Sequence, residues 1–210
     1  MIAKEGYPYV LVLATVTVAF YLLWGVAASV APLTGCLFVL YFFRDPERSI
    51  PDGKELVVSP ADGRVIKVDH IVEPDFIGNR TLRISIFMSP LNVHVNRAPV
   101  DGRVLKVEHK RGGFRAAYTD LAALENEHIS MLLDTDFGPV LVRQIAGLVA
   151  RRIVCRMKEG QTLKRGERYG IIKLGSRVDL FLPPESEPTV REGDRVRAGS
   201  TVVARLKGKR

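Results

Sequence analysis

The chain has 210 residues, of which 47% are hydrophobic, and a formal net charge of +8. That length allows one domain of ordinary size plus a membrane segment. Two cysteines, Cys36 and Cys155, both in apolar stretches, exclude a disulfide framework and read as packing residues.

From Gly6 to Phe43 there is no charged residue. The run is too long for one span, because a hydrocarbon core needs about 20 apolar residues. It divides near Gly25 or Pro32 into Tyr9–Trp24 and Ala27–Phe43, with Tyr7, Tyr9, Trp24 and Tyr41 near the ends. This predicts a transmembrane helical hairpin. A secretory signal peptide is the competing reading, since Val26-Ala-Ala-Ser-Val-Ala31 offers small residues for cleavage. The apolar stretch that follows at once, Leu33 to Phe43, argues against it. Lys4 before the run and Arg44 and Arg48 after it place both ends in the cytoplasm.

Residues 1–43 hold only Lys4 and Glu5, so the entire excess of positive charge belongs to residues 44–210. A basic domain held at a membrane points to anionic lipid headgroups. Nucleic acid is disfavoured, because the basic residues are interspersed with acidic ones and no aromatic-rich binding motif accompanies them.

Phe43 to Gly53 reads as an exit linker, with Pro46, Pro51 and Asp52-Gly53 as breakers. Short β-branched runs follow. They are Leu56–Ser59, Arg64–Val68, Leu82–Phe87, Arg103–Val107, Ile129–Leu133, Val140–Ile145, Ile153–Cys155, Tyr169–Lys173, Arg177–Leu182 and Thr201–Leu206. One short helix is predicted from Asp120 to Glu127, capped by Thr119. The fold class is therefore mainly β, a compact sandwich- or barrel-like domain.

Pro60-Ala-Asp-Gly-Arg-Val-Ile-Lys-Val-Asp-His70 nearly repeats as Pro99-Val-Asp-Gly-Arg-Val-Leu-Lys-Val-Glu-His109. Asp-Gly before an alternating apolar run is a turn-then-strand signal. Local sequence therefore gives Asp62 no distinction over Asp101. The tail from Val190 to Val203 looks like a lipoyl-domain hairpin, although it carries no Met-Lys carrier turn.

His70, His109 and His128 sit among charged neighbours and read as surface residues. His94 lies between apolar residues before a proline-closed turn, which makes it the acid/base candidate of the four. No His/Cys/carboxylate cluster has zinc spacing, no glycine-rich loop has phosphate-binding spacing, and no serine sits in a nucleophile elbow. Gly175-Ser176 breaks two apolar β-type runs. Such a step is either a plain tight turn or a self-cleaving bond that leaves a pyruvoyl group on the new amino terminus.

Several segments together resemble the short, membrane-anchored form of the phosphatidylserine decarboxylase family. They are Phe42-Phe-Arg-Asp-Pro-Glu-Arg48, Ser59-Pro-Ala-Asp-Gly-Arg-Val65, Phe87-Met-Ser-Pro90 through His94 to Pro99, Gly113-Phe-Arg-Ala-Ala-Tyr118, Glu125-Asn-Glu127 and Leu174-Gly-Ser-Arg-Val178. They occur in the family's order between residues 42 and 182. The resemblance implies cleavage between Gly175 and Ser176 into residues 1–175 and 176–210, which stay associated. It implies conversion of Ser176 to a pyruvoyl group that serves as electron sink for decarboxylation of phosphatidylserine to phosphatidylethanolamine, with no pyridoxal phosphate and no metal. His94 and Asp62 match the base and its orienting carboxylate.

Two residues depart from longer family members. Arg177 stands where they have threonine, and Arg97 stands where they have a second histidine. Arg97 then either holds the substrate's phosphate or carboxylate, or makes a surface salt bridge. The expected division is 1–43 as membrane anchor and 44–210 as catalytic β domain on the cytoplasmic face of the cell membrane. A membrane-anchored lipoyl-like adaptor without chemistry is the alternative reading of the same residues.

Overall fold

The computed structural model describes residues 1–148, 152–173 and 175–208. It divides into two compact units, Met1–Glu47 and Arg48–Arg210.

In the first unit a 3-10 turn, Lys4–Gly6, leads into α1 (Tyr7–Trp24), followed by α2 (Val26–Phe42). Gly25 joins them with φ +83°, a left-handed conformation that only glycine adopts without steric cost. Ala3 N–H donates to Phe43 O, and Asp45 N–H to Met1 O, each at 2.8 Å. The two ends of the hairpin therefore lie side by side, as a chain returning to its starting side requires. The helices are apolar around their whole circumference. Leu11 is 70% exposed and Leu22 73%, a pattern that packing within the hairpin does not explain. By length and composition Lys4–Trp24 can cross a membrane, with mean hydropathy 1.7. The apolar helix Val26–Phe42 is shorter. Its 17 residues reach about 26 Å, just under the ~30 Å hydrocarbon core.

The second unit is built from strands. In chain order they are β1 (Leu56–Val58), β2 (Gly63–Glu73), β3 (Asn79–Met88), β4 (Val95–Arg97), β5 (Gly102–Lys110), β6 (His128–Asp134), β7 (Val140–Ile145), β8 (Ile153–Cys155), β9 (Thr162–Leu163), β10 (Arg168–Ile172), β11 (Ser176–Leu182), β12 (Glu187–Pro188), β13 (Arg195–Val196) and β14 (Val202–Arg205). A curled eight-stranded sheet has the order β13-β2-β3-β11-β7-β6-β5-β9. Two three-stranded sheets, β1-β14-β12 and β4-β10-β8, complete the unit. One face of the large sheet supplies the core: Ile84 and Ile86 from β3, Val178 and Leu180 from β11, Val140 and Val142 from β7, Met131 and Leu133 from β6. Alternation along each strand sends the intervening residues to the other face.

The predicted strands form, several with longer bounds. The short strands β4, β9, β12 and β13 carry too few residues for periodicity to reveal them. The helix is shorter than predicted. α3 spans Asp120–Glu125, and Thr119 Oγ1 accepts from Ala122 N–H at its start, the expected cap.

The sequence repeat becomes a structural repeat. β2 and β5 each begin at the glycine of Asp-Gly, and each pairs with the next long strand on one side and a two-residue edge strand on the other. The register slips between Val65 and Lys67 in one copy and between Val104 and Lys106 in the other, so Ile66 and Leu105 are equivalent β-bulge residues. The cause is also repeated. Val65 exchanges backbone hydrogen bonds with Gly193 and Asp194, and Val104 does so with Gly160 and Gln161.

Candidate active site

β10 and β11 are joined by residues 173–175, and Leu174 of the cleavage motif lies outside the described residues. Gly175 has φ +62°, and a Cβ built there meets nothing within 4 Å. Glycine is thus favoured by backbone conformation, not by lack of space. The first residue of β11, Ser176, is fully buried and pairs with Met88 at the end of β3.

Ser176 Oγ donates to Met88 Sδ at 3.5 Å. A thioether is a weak acceptor, so this contact holds the hydroxyl only lightly. Asn96 Nδ2 approaches the same sulfur at 3.8 Å, and Gln144 Nε2 donates to Asn96 Oδ1 at 2.8 Å. Met88, Asn96, Gln144 and Ser176 are all buried. Gln144 Oε1 has no hydrogen-bond partner among the described residues, which is costly unless something else completes the site. Sequence reasoning passed over Asn96 and Gln144. Each stands next to an arginine in a short strand, Asn96 before Arg97 and Gln144 after Arg143, so the local pattern gives no sign that its amide turns inward.

Gly147 follows β7, whose Ile145 pairs with Arg177. A Cβ on Gly147 would lie 2.0 Å from Gly175 O and 3.2 Å from Ala117 Cβ. The carbonyl of the expected cleavage site therefore rests directly on the Gly147 backbone.

His94 is fully buried and immediately precedes β4. Its carbonyl accepts from Ile172 N–H at 3.3 Å, so it is tied to the strand that ends four residues before Ser176. Asp62 is buried. Its Oδ2 accepts from Arg48 Nη2 and its Oδ1 from Ala198 N–H, each at 2.8 Å. Its repeat counterpart Asp101 is exposed and accepts from Arg165 N–H. Tertiary packing thus separates two aspartates that local sequence does not. Asp62 lines a cleft of about 840 Å³ whose wall includes Phe87 and Ser89, the chain neighbours of Met88. A second cleft, of about 960 Å³, is lined by Thr81 and Pro183, beyond the far end of β11 from Ser176.

Arg97 is only 4% exposed and donates from Nη1 to Gly166 O at 3.0 Å. It is an interior residue, so the surface salt bridge considered for it does not describe its place. Arg177 is likewise fully buried. Its Nε meets Asp179 Oδ1 at 2.5 Å, its Nη2 donates to Ser85 Oγ at 2.9 Å, and its Nη1 to Thr119 O at 3.3 Å. The residue after Ser176 is therefore an anchor on the face opposite the core. Seven register pairs with β3 reinforce it.

His128 corrects a surface expectation, because it is buried, with Nδ1 contacting Asn126 O at 2.9 Å. Its carbonyl partner makes Nδ1 the donor. Burial is the main cause that pushes its pKa below the ordinary value, and the Arg143 charge adds to this. Burial also raises the Tyr169 phenol well above its usual range, which keeps it protonated near neutral pH. Among the described residues no group of three or more His, Cys, Asp or Glu is placed to hold a metal ion.

Comparison with known proteins gives a coherent result. A family model described as phosphatidylserine decarboxylase matches residues 36–204. A phosphatidylserine decarboxylase proenzyme of Symbiobacterium thermophilum is 50% identical over 208 residues, covering 98% of this chain and 96% of the relative. The proenzyme of Nitratidesulfovibrio vulgaris is 49% identical, covering 97% and 94%. That of Syntrophus aciditrophicus is 43% identical, covering 95% of each.

Proposed function

The chain belongs to the phosphatidylserine decarboxylase family, and we propose that it is a self-processing enzyme that converts phosphatidylserine to phosphatidylethanolamine after cleavage between Gly175 and Ser176. The observation that carries this reading is the joint itself. A left-handed glycine presents its carbonyl against Gly147, and a lightly held serine hydroxyl follows at the start of a firmly anchored strand.

In the first step Ser176 Oγ adds to the Gly175 carbonyl carbon and loses its proton to a base. The carbon–nitrogen bond breaks, and the Ser176 nitrogen leaves as an amine, giving an ester. Removal of the Ser176 α-proton then expels Gly175 as a carboxylate and leaves dehydroalanine. Its imine tautomer takes up water and releases ammonia, which leaves the pyruvoyl group on residue 176. His94 is the base of this sequence, and Asp62 assists it. The residues around Ser176 fit such a group. The terminus is fully buried beside the Asn96 side-chain amide, whose N–H groups are of the donor type that carbonyl oxygens need. Once present, the pyruvoyl group supplies the electron sink for loss of carbon dioxide.

The remaining work falls to the chain. Burial keeps bulk water from the reacting centre and leaves room only for the single water that the imine consumes. His94 delivers a proton to the product. The Arg177–Asp179 pair keeps the new terminus in the sheet, so the pieces 1–175 and 176–210 stay together. The helix pair of the first unit holds the enzyme at the cell membrane, and Lys4, Arg44 and Arg48 place the catalytic unit on the cytoplasmic side.

Intact mass and a denaturing gel test the reading. Purified protein is expected as two pieces, the smaller of 35 residues, 176–210, and blocked at its amino terminus. Ser176→Ala is expected as a single chain that releases no carbon dioxide from a serine phospholipid. A Ser176→Ala chain that still splits at this bond overturns the proposal. His94→Ala is scored separately for cleavage and, in any cleaved fraction, for turnover. Normal values for both remove His94 from the mechanism.

A further inference from the structure

The cleft that Asp62 lines also carries Arg64, Arg195 and Arg197. Arg195 on β13 is the direct cross-strand partner of Arg64 on β2. Like charges placed opposite each other destabilise a sheet. Val196 and Ala198 are buried, so strand alternation turns both Arg195 and Arg197 outward. All three arginines are exposed, and among the described residues none of their guanidinium groups has a carboxylate partner. The cleft's own carboxylate, Asp62, is engaged by Arg48 and by the Ala198 amide. Ser89, Ser200 and Thr201 add hydroxyl groups to the same wall.

The repeat supplies an internal control. In the second copy the residue equivalent to Arg64 is Arg103, and its edge-strand partner is Thr162. The fold therefore accepts a neutral residue at this place. Arginine at 195 is a cost that the architecture does not demand.

We propose that Arg64, Arg195 and Arg197 form a phosphate-binding site that receives the phosphodiester of the serine phospholipid. Planar guanidinium groups match phosphate oxygens bidentately, and a bound anion relieves the Arg64–Arg195 repulsion. The placement fits the chemistry. Phe87 and Ser89 line the cleft, and Met88 between them is the strand partner of Ser176. Alternation turns Phe87 and Ser89 to the sheet face opposite Met88 and Ser176, so a headgroup held by its phosphate reaches residue 176 round the adjoining ends of β3 and β11. Arg97, with its buried guanidinium donating to Gly166 O, is left to hold the interior. This inference rests on the functional reading above.

The test uses the full chain in the uncut Ser176→Ala form for binding and the active form for kinetics. Glycerophosphoserine and inorganic phosphate are titrated into Ser176→Ala protein by calorimetry. Arg64→Gln, Arg195→Gln and Arg197→Gln are each expected to weaken glycerophosphoserine roughly tenfold, the worth of one charge-assisted hydrogen bond. In active protein the same changes are expected to raise KM for phosphatidylserine far more than they lower kcat, with the lysine variants, which keep the charge but lose the bidentate fork, restoring only part of the loss. Arg195→Thr copies the second repeat and separates binding from structure. It is expected to unfold at the same or a higher temperature while losing affinity, whereas a structural role would lower the unfolding temperature. Unchanged binding and unchanged KM in the triple glutamine variant overturn the inference. Inorganic phosphate binding as tightly as glycerophosphoserine, with no change in KM, marks a free-phosphate site and also overturns it. Should the wild-type chain neither cleave nor release carbon dioxide, the functional reading falls, and the titration still decides for or against the three arginines.

Discussion

Gly147 stands against Gly175, so close that a Cβ on Gly147 would lie 2.0 Å from the Gly175 oxygen. One glycine is favoured by its own backbone angle, and the other is required by its neighbour's carbonyl. Gly147→Ala must push that carbonyl away from Ser176 Oγ. A displacement of about 1 Å costs about a hundredfold in rate, and cleavage is expected to slow by that order. Gly102→Ala is the control, since its Cβ would also press on a carbonyl, 2.8 Å from Asp134 O, at the far end of β5. Time courses of cleavage should separate the two. Equal rates in both variants would show that Gly147 matters only for packing.

Asp62 and Asp101 occupy equivalent turns, yet only Asp62 is buried and tied to Arg48. Asp62→Asn is expected to slow cleavage by about a hundredfold or more if it supports the base. Asp101→Asn is expected to cleave normally, because its carboxylate only caps the Arg165 amide at the surface. Pulse-chase gels on the two variants decide the matter, and the reverse ranking would transfer the role to Asp101.

Arg177 and Asp179 form an ion pair in which both side chains are fully buried. Removing one partner leaves the other charged and unpaired in the interior, at a cost of about 3–5 kcal/mol. Arg177→Met is therefore expected to lower the unfolding midpoint sharply, by chemical denaturation in the uncut Ser176→Ala background. Arg177→Met with Asp179→Leu is expected to recover much of the loss, because no charge then remains buried. A double variant as unstable as the single one would show that packing, not charge, is at stake.

His128 gives the stability a pH dependence with a definite sign. Burial holds its folded pKa below the ordinary value of 6.5. On acidification the unfolded chain takes up the proton first, and the folded chain only at lower pH. The contribution is therefore complete above 6.5 and is lost as pH falls from there towards the folded value. Denaturant midpoints measured across this window should fall with pH in the Ser176→Ala protein and fall less in a His128→Gln derivative. Parallel slopes would assign the dependence to other groups.

The order of strands, the helical hairpin and the Gly175-Ser176 step were legible from local sequence. Apolar alternation, Asp-Gly turns and an uncharged run from Gly6 to Phe43 act over a few residues and need no knowledge of the rest. Even the shared bulge at Ile66 and Leu105 follows from a visible repeat. What local sequence left open was which copy of the repeat does what. Asp62 differs from Asp101 because Arg48 and Ala198 arrive from distant parts of the chain. Arg64 faces Arg195, whereas Arg103 faces Thr162, because β13 and β9 close opposite edges of one sheet. Gly147 meets Gly175, and Gln144 meets Asn96, only after β7 and β11 have paired and β10 has brought β4 to the same core. Propensity and periodicity are short-range, and they fix each strand. Burial, charge pairing and close backbone approach depend on which strands become neighbours, and only the assembled sheet decides that.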